Sequence, residues 1–160
     1  LVIDTVDKMV DRANEEVIEL AKEKFPKVAD RINGIGDVPE GVGWFMATSL
    51  ISNTLDKLRQ FPAALVLISH ISAKEISDGV RKYNKDTISI GGQTGTKILH
   101  MVDHTLHIRA RMAGDKIERM IRTKPMETME AGSRGLVVPD GFKLEADEAD
   151  NYARFRGLFE

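Results

Sequence analysis

Two apolar runs of strand length, each closing on polar side chains, frame the first 70 residues: Leu1-Val2-Ile3-Asp4-Thr5-Val6-Asp7 and Ala63-Ala64-Leu65-Val66-Leu67-Ile68-Ser69-His70. Short continuous runs suit strands covered on both faces, and parallel neighbours of that kind need helical crossovers between them. The intervening sequence supplies these. Val6, Met9, Val10, Ala13, Val17, Leu20 and Ala21 recur at helical spacing among charged residues, which predicts an amphipathic helix ended by Phe25-Pro26. Asn33 to Gly41 is rich in turn residues and reads as a connection, with a helical turn near Val28 to Ile32. Met46, Leu50, Ile51, Leu55 and Leu58 mark a second helix from Trp44 to Leu58, expected to pack on a sheet and stopped by Phe61-Pro62. The pattern predicts an α/β domain with a mainly parallel sheet and flanking helices.

Beyond His70 the signals weaken. Ser72 to Ser89 is polar and leads into Gly91-Gly92-Gln93-Thr94-Gly95, so it reads as a long mobile loop. Thr96 to Val102 suits a short helix. Thr105 to Met112 and Lys116 to Thr123 read as strands of a C-terminal β-hairpin, because Gly114-Asp115 supplies hairpin turn chemistry. Residues 1–141 are taken as the core, and residues 142–160 as an acidic C-terminal tail.

A chain of 160 residues with 42% hydrophobic content can bury one core of its own. Its formal charge of -2 provides no global basic field, so contact with nucleic acid must come from a local patch. The absence of cysteine excludes disulfides, thiolate metal sites and a cysteine nucleophile. No apolar run approaches the length of a membrane span, and the expectation is an intracellular protein without a membrane partner.

Several side chains carry candidate chemistry. Ligands of parallel α/β sheets bind beyond the carboxyl ends of the strands, where Asp4 would lie. A carboxylate there can hold the hydration shell of Mg²⁺, with Thr5 and Asp7 supporting it or positioning water. Asp4 or Thr5 could equally cap the following helix. His70 ends the second strand on the same edge; its ring could bond a terminal phosphate or an attacking water, or serve only the structure. Arg122 and Lys124, two residues apart, share one face of a strand end and could neutralise phosphate, or simply protect a sheet edge. Lys74, Arg81, Lys82 and Lys85 lie in the predicted loop with Tyr83 and could follow a single nucleic-acid strand. His100-Met101-Val102-Asp103-His104 approximates a zinc-protease pattern with Asp in place of Glu, although Thr105-Leu106-His107-Ile108-Arg109 looks like a strand rather than a continuing helix.

Taken together, Leu1 to Asp7, Gly43-Trp44, Leu67-Ile68-Ser69-His70, Val102-Asp103-His104 and Arg122-Thr123-Lys124-Pro125 with Glu130-Ala131-Gly132 resemble the RecA-like P-loop ATPases. The resemblance is greatest to the phage-type nucleotide-binding ATPases of recombination and single-strand annealing. It implies a partial RecA-like core lacking the phosphate loop, with Asp4 as the Walker B acid on Mg²⁺ and ATP. It further implies that His70 senses the γ-phosphate and that residues 72–95 form the DNA-binding loop. Arg122 and Lys124 would stand where a Lys-x-Lys pair contacts ATP across a subunit interface in a homo-oligomer. A cytoplasmic protein of a bacterium or phage-infected cell, acting on single-stranded DNA, is the implied setting. Gly91-Gly92-Gln93-Thr94-Gly95-Thr96-Lys97 lacks the Gly-Lys-Ser/Thr order of a phosphate loop, so the chain alone is expected to hydrolyse little or no ATP. The alternative is a nucleotide-independent DNA-binding or protein-binding adaptor on a degenerate version of the same fold.

Overall fold

The computed structural model describes residues 1–134, 140–144 and 148–157, and it divides the chain into two compact units. Leu1–Ile71 with Ile88–Ile98 form the first; Ser72–Thr87 with Leu99–Glu160 form the second.

In the first unit, β1 (Val2–Asp4) runs parallel to β2 (Val66–Ile68), with Val2 opposite Val66 and Asp4 opposite Ile68. Between them come α1 (Val6–Lys24), three short 3-10 turns spanning Pro26–Arg31, Ile35–Asp37 and Pro39–Gly41, and α2 (Val42–Arg59). Helix α1 buries Val6, Ala13, Val17 and Ala21, the stripe expected from their spacing, whereas Leu20 is 44% exposed. Val17 packs with Ile35 and Ala47, and Ala21 with Ile32 and Val38, so the buried stripe of α1 meets α2 and the 3-10 turns. Fully burying a Val, Leu or Ile side chain contributes about 1.5–3 kcal/mol. Exposed pairs such as Arg12–Glu15 and Lys22–Glu19 contribute at most about 1 kcal/mol each, so apolar contact dominates.

Two glycines of the first unit allow close approach. A Cβ on Gly43 would meet the Ile35 carbonyl oxygen at 2.5 Å, and one on Gly95 would come closer still to the Ile90 carbonyl oxygen. Gly95 lies in α3 (Gly92–Met101), which begins four residues before the expected Thr96. The Thr94 hydroxyl of α3 lies 2.9 Å from the buried hydroxyl of Thr48 on α2.

In the second unit, β3 (Ile71–Ser77) and β4 (Lys82–Ile88) form a two-stranded sheet, each strand with one end residue in the first unit. Asp78 shapes their turn by accepting the N–H bonds of Val80 and Arg81 at 2.9 and 2.8 Å. β5 (His104–Thr105) pairs with β8 (Gly132–Ser133). β6 (His107–Ala113), β7 (Lys116–Arg122) and β9 (Gly141–Leu144) form an antiparallel sheet, and α4 spans Glu148–Arg156. The turn between β6 and β7 is Gly114-Asp115, with Gly114 at φ 64°. Ile121, Met129, Ala131, His107 and Thr123 are buried here.

Three expectations are corrected, and the acidic tail is found to hold secondary structure. The sheet content is not mainly parallel: β1–β2 is a parallel pair, but the registers of β5–β8, β6–β7 and β7–β9 are antiparallel. For β6–β7 the reason is that a two-residue turn cannot make a parallel crossover. Strand β2 is not covered on both faces, since Val66 and Ile68 are 43% and 42% exposed in a pair of strands rather than a wide sheet. Residues 72–89 are not a loop but largely β3 and β4, whose residues are mainly polar, exposed in β3 and half-buried in β4, and so lack apolar alternation. The tail holds β9 and α4, so β9 straddles the 141/142 boundary.

Gly95→Ala is expected to destabilise the chain by about 1–3 kcal/mol in urea unfolding, since backbone must move to admit the methyl. Gly36→Ala, with no atom within 4 Å of its added Cβ, should change stability by no more than about 0.5 kcal/mol.

Burial pushes the pKa of His107 below its ordinary 6.5, opposed by the nearby Asp86 carboxylate and reinforced by Arg109. As pH falls through about 6.5, the unfolded chain takes up a proton on this residue that the folded chain refuses, so stability declines with acidification. His107→Gln should flatten the dependence of unfolding free energy on pH just below that value.

Candidate functional site

The carboxyl ends of β1 and β2 gather the candidate residues of the first unit. Asp4 is the last residue of β1, and its exposed carboxylate makes no hydrogen bond or ion pair among the described residues. Thr5 follows across a cis peptide and occupies the N-cap position of α1, where its carbonyl accepts bonds from Lys8 and Met9 at 3.1 and 3.4 Å. Its side chain does not cap the helix. Thr5 Oγ1 is buried without a partner, an unusual state for a polar atom out of contact with water. Neither Asp4 nor Thr5 therefore makes the side-chain cap that their position allowed.

Asp7 lies in the first turn of α1 and is fully engaged. Its Oδ2 accepts the backbone N–H of His70 at 3.0 Å and lies 3.5 Å from the ring Nδ1 of the same residue. Its Oδ1 accepts the hydroxyl of Ser69 at 3.3 Å and also that of Ser89. The His70 carbonyl in turn accepts the Ser89 N–H at 2.9 Å. One carboxylate thus binds the polar end of β2 to the residue just after β4. The His70 side chain remains 72% exposed at this edge. Sequence reasoning brought Asp4, Asp7 and His70 to one edge and missed Ser89. An exposed serine in a polar stretch gives no local signal, and its bond to Asp7 spans 82 residues.

The second unit holds the remaining candidates. Arg122 ends β7, and Lys124 pairs with Asp140. With Pro125 and Met126 these three line a cleft of about 270 Å³. The Lys124 ammonium, through a hydrogen bond and its charge, holds the Asp140 carboxyl below the usual carboxylate range, and Arg122 adds to the effect.

Of the four cations assigned to nucleic acid, three have internal carboxylate partners. Arg81 bonds Asp78 and Glu127, Lys82 bonds Glu75 at 3.0 Å, and Lys85 bonds Glu130 at 3.3 Å. Lys74 makes no such bond among the described residues.

The residues that looked like a strand after the zinc-protease pattern are strands. His100 lies in α3 and His104 in β5, so no helix carries both, and the described residues form no metal-holding group of three or more His, Cys, Asp or Glu. No helix among the described residues is long and apolar enough to cross a membrane.

The edge therefore offers a free carboxylate, an unpartnered hydroxyl and a clamped, exposed imidazole. Oxygen donors of this kind suit a hard cation such as Mg²⁺ and the phosphates it accompanies. Comparison with known proteins gives a family of matching chemistry: a model described as an AAA domain matches residues 1–135. No curated protein and no solved structure matches the chain. With most of its length matched by that model, the chain belongs to the AAA domain family of P-loop, nucleotide-binding ATPases.

Proposed function

We propose that this chain supplies the metal-side half of the ATP site in a RecA-like ATPase that works on single-stranded DNA in recombination or annealing. The observation that carries the reading is the pairing of an unengaged Asp4 carboxylate with a buried, unpartnered Thr5 hydroxyl at the end of a parallel strand. Proteins of the AAA class bind nucleotide, usually with Mg²⁺, and the donor chemistry here fits that pair.

Asp4 would hold the ion through its water shell, with Thr5 as a second oxygen on the same edge. Mg²⁺ bound there would supply charge neutralisation to the nucleotide phosphates. His70 presents its ring beside this carboxylate edge, as a group sensing the terminal phosphate must. Asp7, proposed from sequence as a water-positioning carboxylate, is better placed to fix His70, because both of its oxygens are already occupied. Arg122 and Lys124 are assigned to the nucleotide of a neighbouring subunit in a homo-oligomer. Lys124 would first have to exchange its Asp140 partner for phosphate.

The 160 residues contain no Gly-Lys-Ser/Thr order to cradle phosphates with backbone amides, so the isolated chain is expected to turn over little or no ATP. A robust hydrolysis rate from the purified chain contradicts this.

In the intact protein, Asp4→Ala should lower ATPase activity by at least about 10²-fold while circular dichroism stays unchanged. Undiminished turnover would favour the nucleotide-independent adaptor. Asp7→Ala should loosen His70 and cost at least about 1.5–3 kcal/mol in urea unfolding, the range for losing a single hydrogen bond to a charged acceptor, since three donors lose their partner. In the intact protein it should also uncouple hydrolysis from DNA, a loss that stability alone does not produce.

A further inference from the structure

The β6–β7–β9 sheet has two faces of different chemistry. Cross-strand partners share a face, so the register puts Arg109, Arg111, Lys116, Arg122 and Lys143 together, with Glu118 the one carboxylate among those ladder positions. Five cations against one acid is a strong local excess in a chain whose formal charge is -2.

Arg109 and Lys116 are exposed, and neither forms an ion pair among the described residues. Arg111 and Lys143 share Glu118, at 3.0 and 2.7 Å. Every residue from Ile108 to Ala113 is exposed, so the outer end of the hairpin is uncovered on both faces. The opposite face carries exposed Ile108, Met112 and Ile117.

The contrast with β3–β4 is chemical. There Arg81, Lys82 and Lys85 are neutralised by neighbouring carboxylates and Lys74 alone of the four is not, whereas here Arg109 and Lys116 face solvent without an ion pair among the described residues. Three strands span about 10 Å, the width of one extended backbone rather than of a duplex with two phosphate rows. Strands β6 and β7 contain no Phe, Tyr or Trp, so they offer no aromatic stacking platform.

We propose that the face of the β6–β7–β9 sheet bearing Arg109, Arg111, Lys116 and Lys143 binds the phosphate backbone of single-stranded nucleic acid, in place of the 72–87 hairpin. The inference rests on the nucleic-acid reading given above. Binding there is indifferent to sequence and steep in salt.

The test is fluorescence anisotropy of a labelled oligothymidylate with the full chain across a salt series. Four phosphate contacts give a slope of log K against log salt of about -2.8, at about -0.7 per contact for a single strand. A variant carrying Arg109→Ser and Lys116→Ser should make the slope shallower by about 1.4 and weaken binding about tenfold at low salt. Glu118→Gln, which removes the carboxylate that pairs with Arg111, should tighten binding, whereas Glu23→Gln on the exposed side of α1 should leave it unchanged. If the double variant binds like wild type while Lys74→Ser with Lys82→Ser weakens binding, the inference is overturned and the nucleic-acid reading stands. A wild-type chain that fails to bind at low salt overturns both. Equal affinity for polyglutamate overturns the assignment to nucleic acid.

Discussion

The Asp7 carboxylate organises the edge on which every functional reading of the first unit depends. Three donors converge on it, from Ser69, from the His70 backbone and from Ser89. Hydrogen bonds to an ionised acceptor are roughly twice as strong as neutral ones. The three-residue interval from Asp4 to Asp7 covers the change from strand to helix. One acid is thereby left free at the strand end, while the other is locked within the first helical turn. Two carboxylates of similar intrinsic chemistry thus acquire separate tasks through position alone.

The parts of the fold legible in the sequence are those with a single buried face. Val6, Ala13, Val17 and Ala21, and then Ile51 and Leu55, gave away α1 and α2 because burial imposes helical spacing. The β6–β7 turn was legible through Gly114-Asp115. Strands β3 and β4 were not, since β3 is almost wholly exposed and β4, though half-buried, is built mainly of polar residues, which leaves no apolar alternation to read. Likewise Gly92 to Gly95 suggested a loop, although tight contact with the Ile90 carbonyl explains a glycine inside α3.

For the site, the placement of Asp4 and His70 followed from where apolar runs end. The pairing of cations did not. Lys85 with Glu130 and Arg81 with Glu127 join positions more than 40 residues apart, and only tertiary structure decides which charges are neutralised. A list of lysines and arginines therefore cannot separate paired cations from unpaired ones. The two units also differ in what holds them. α1 and α2 rely on apolar burial. The three-stranded sheet leaves most of β6 in solvent and cross-links its strands through Glu118, whose carboxyl is held below its usual range by Lys143 and Arg111.

The bond from Ser89 N–H to the His70 carbonyl has a consequence for how the chain can vary. It joins the two ends of an excursion that leaves the first unit after Ile71 and returns at Ile88. Because these ends are fixed side by side, the entropy of closing the excursion grows only logarithmically with its length. Residues can then be added or removed between β3 and β4 without altering the path of the chain at either end. The strand edge and its acids can stay constant while the turn between β3 and β4 is lengthened or shortened.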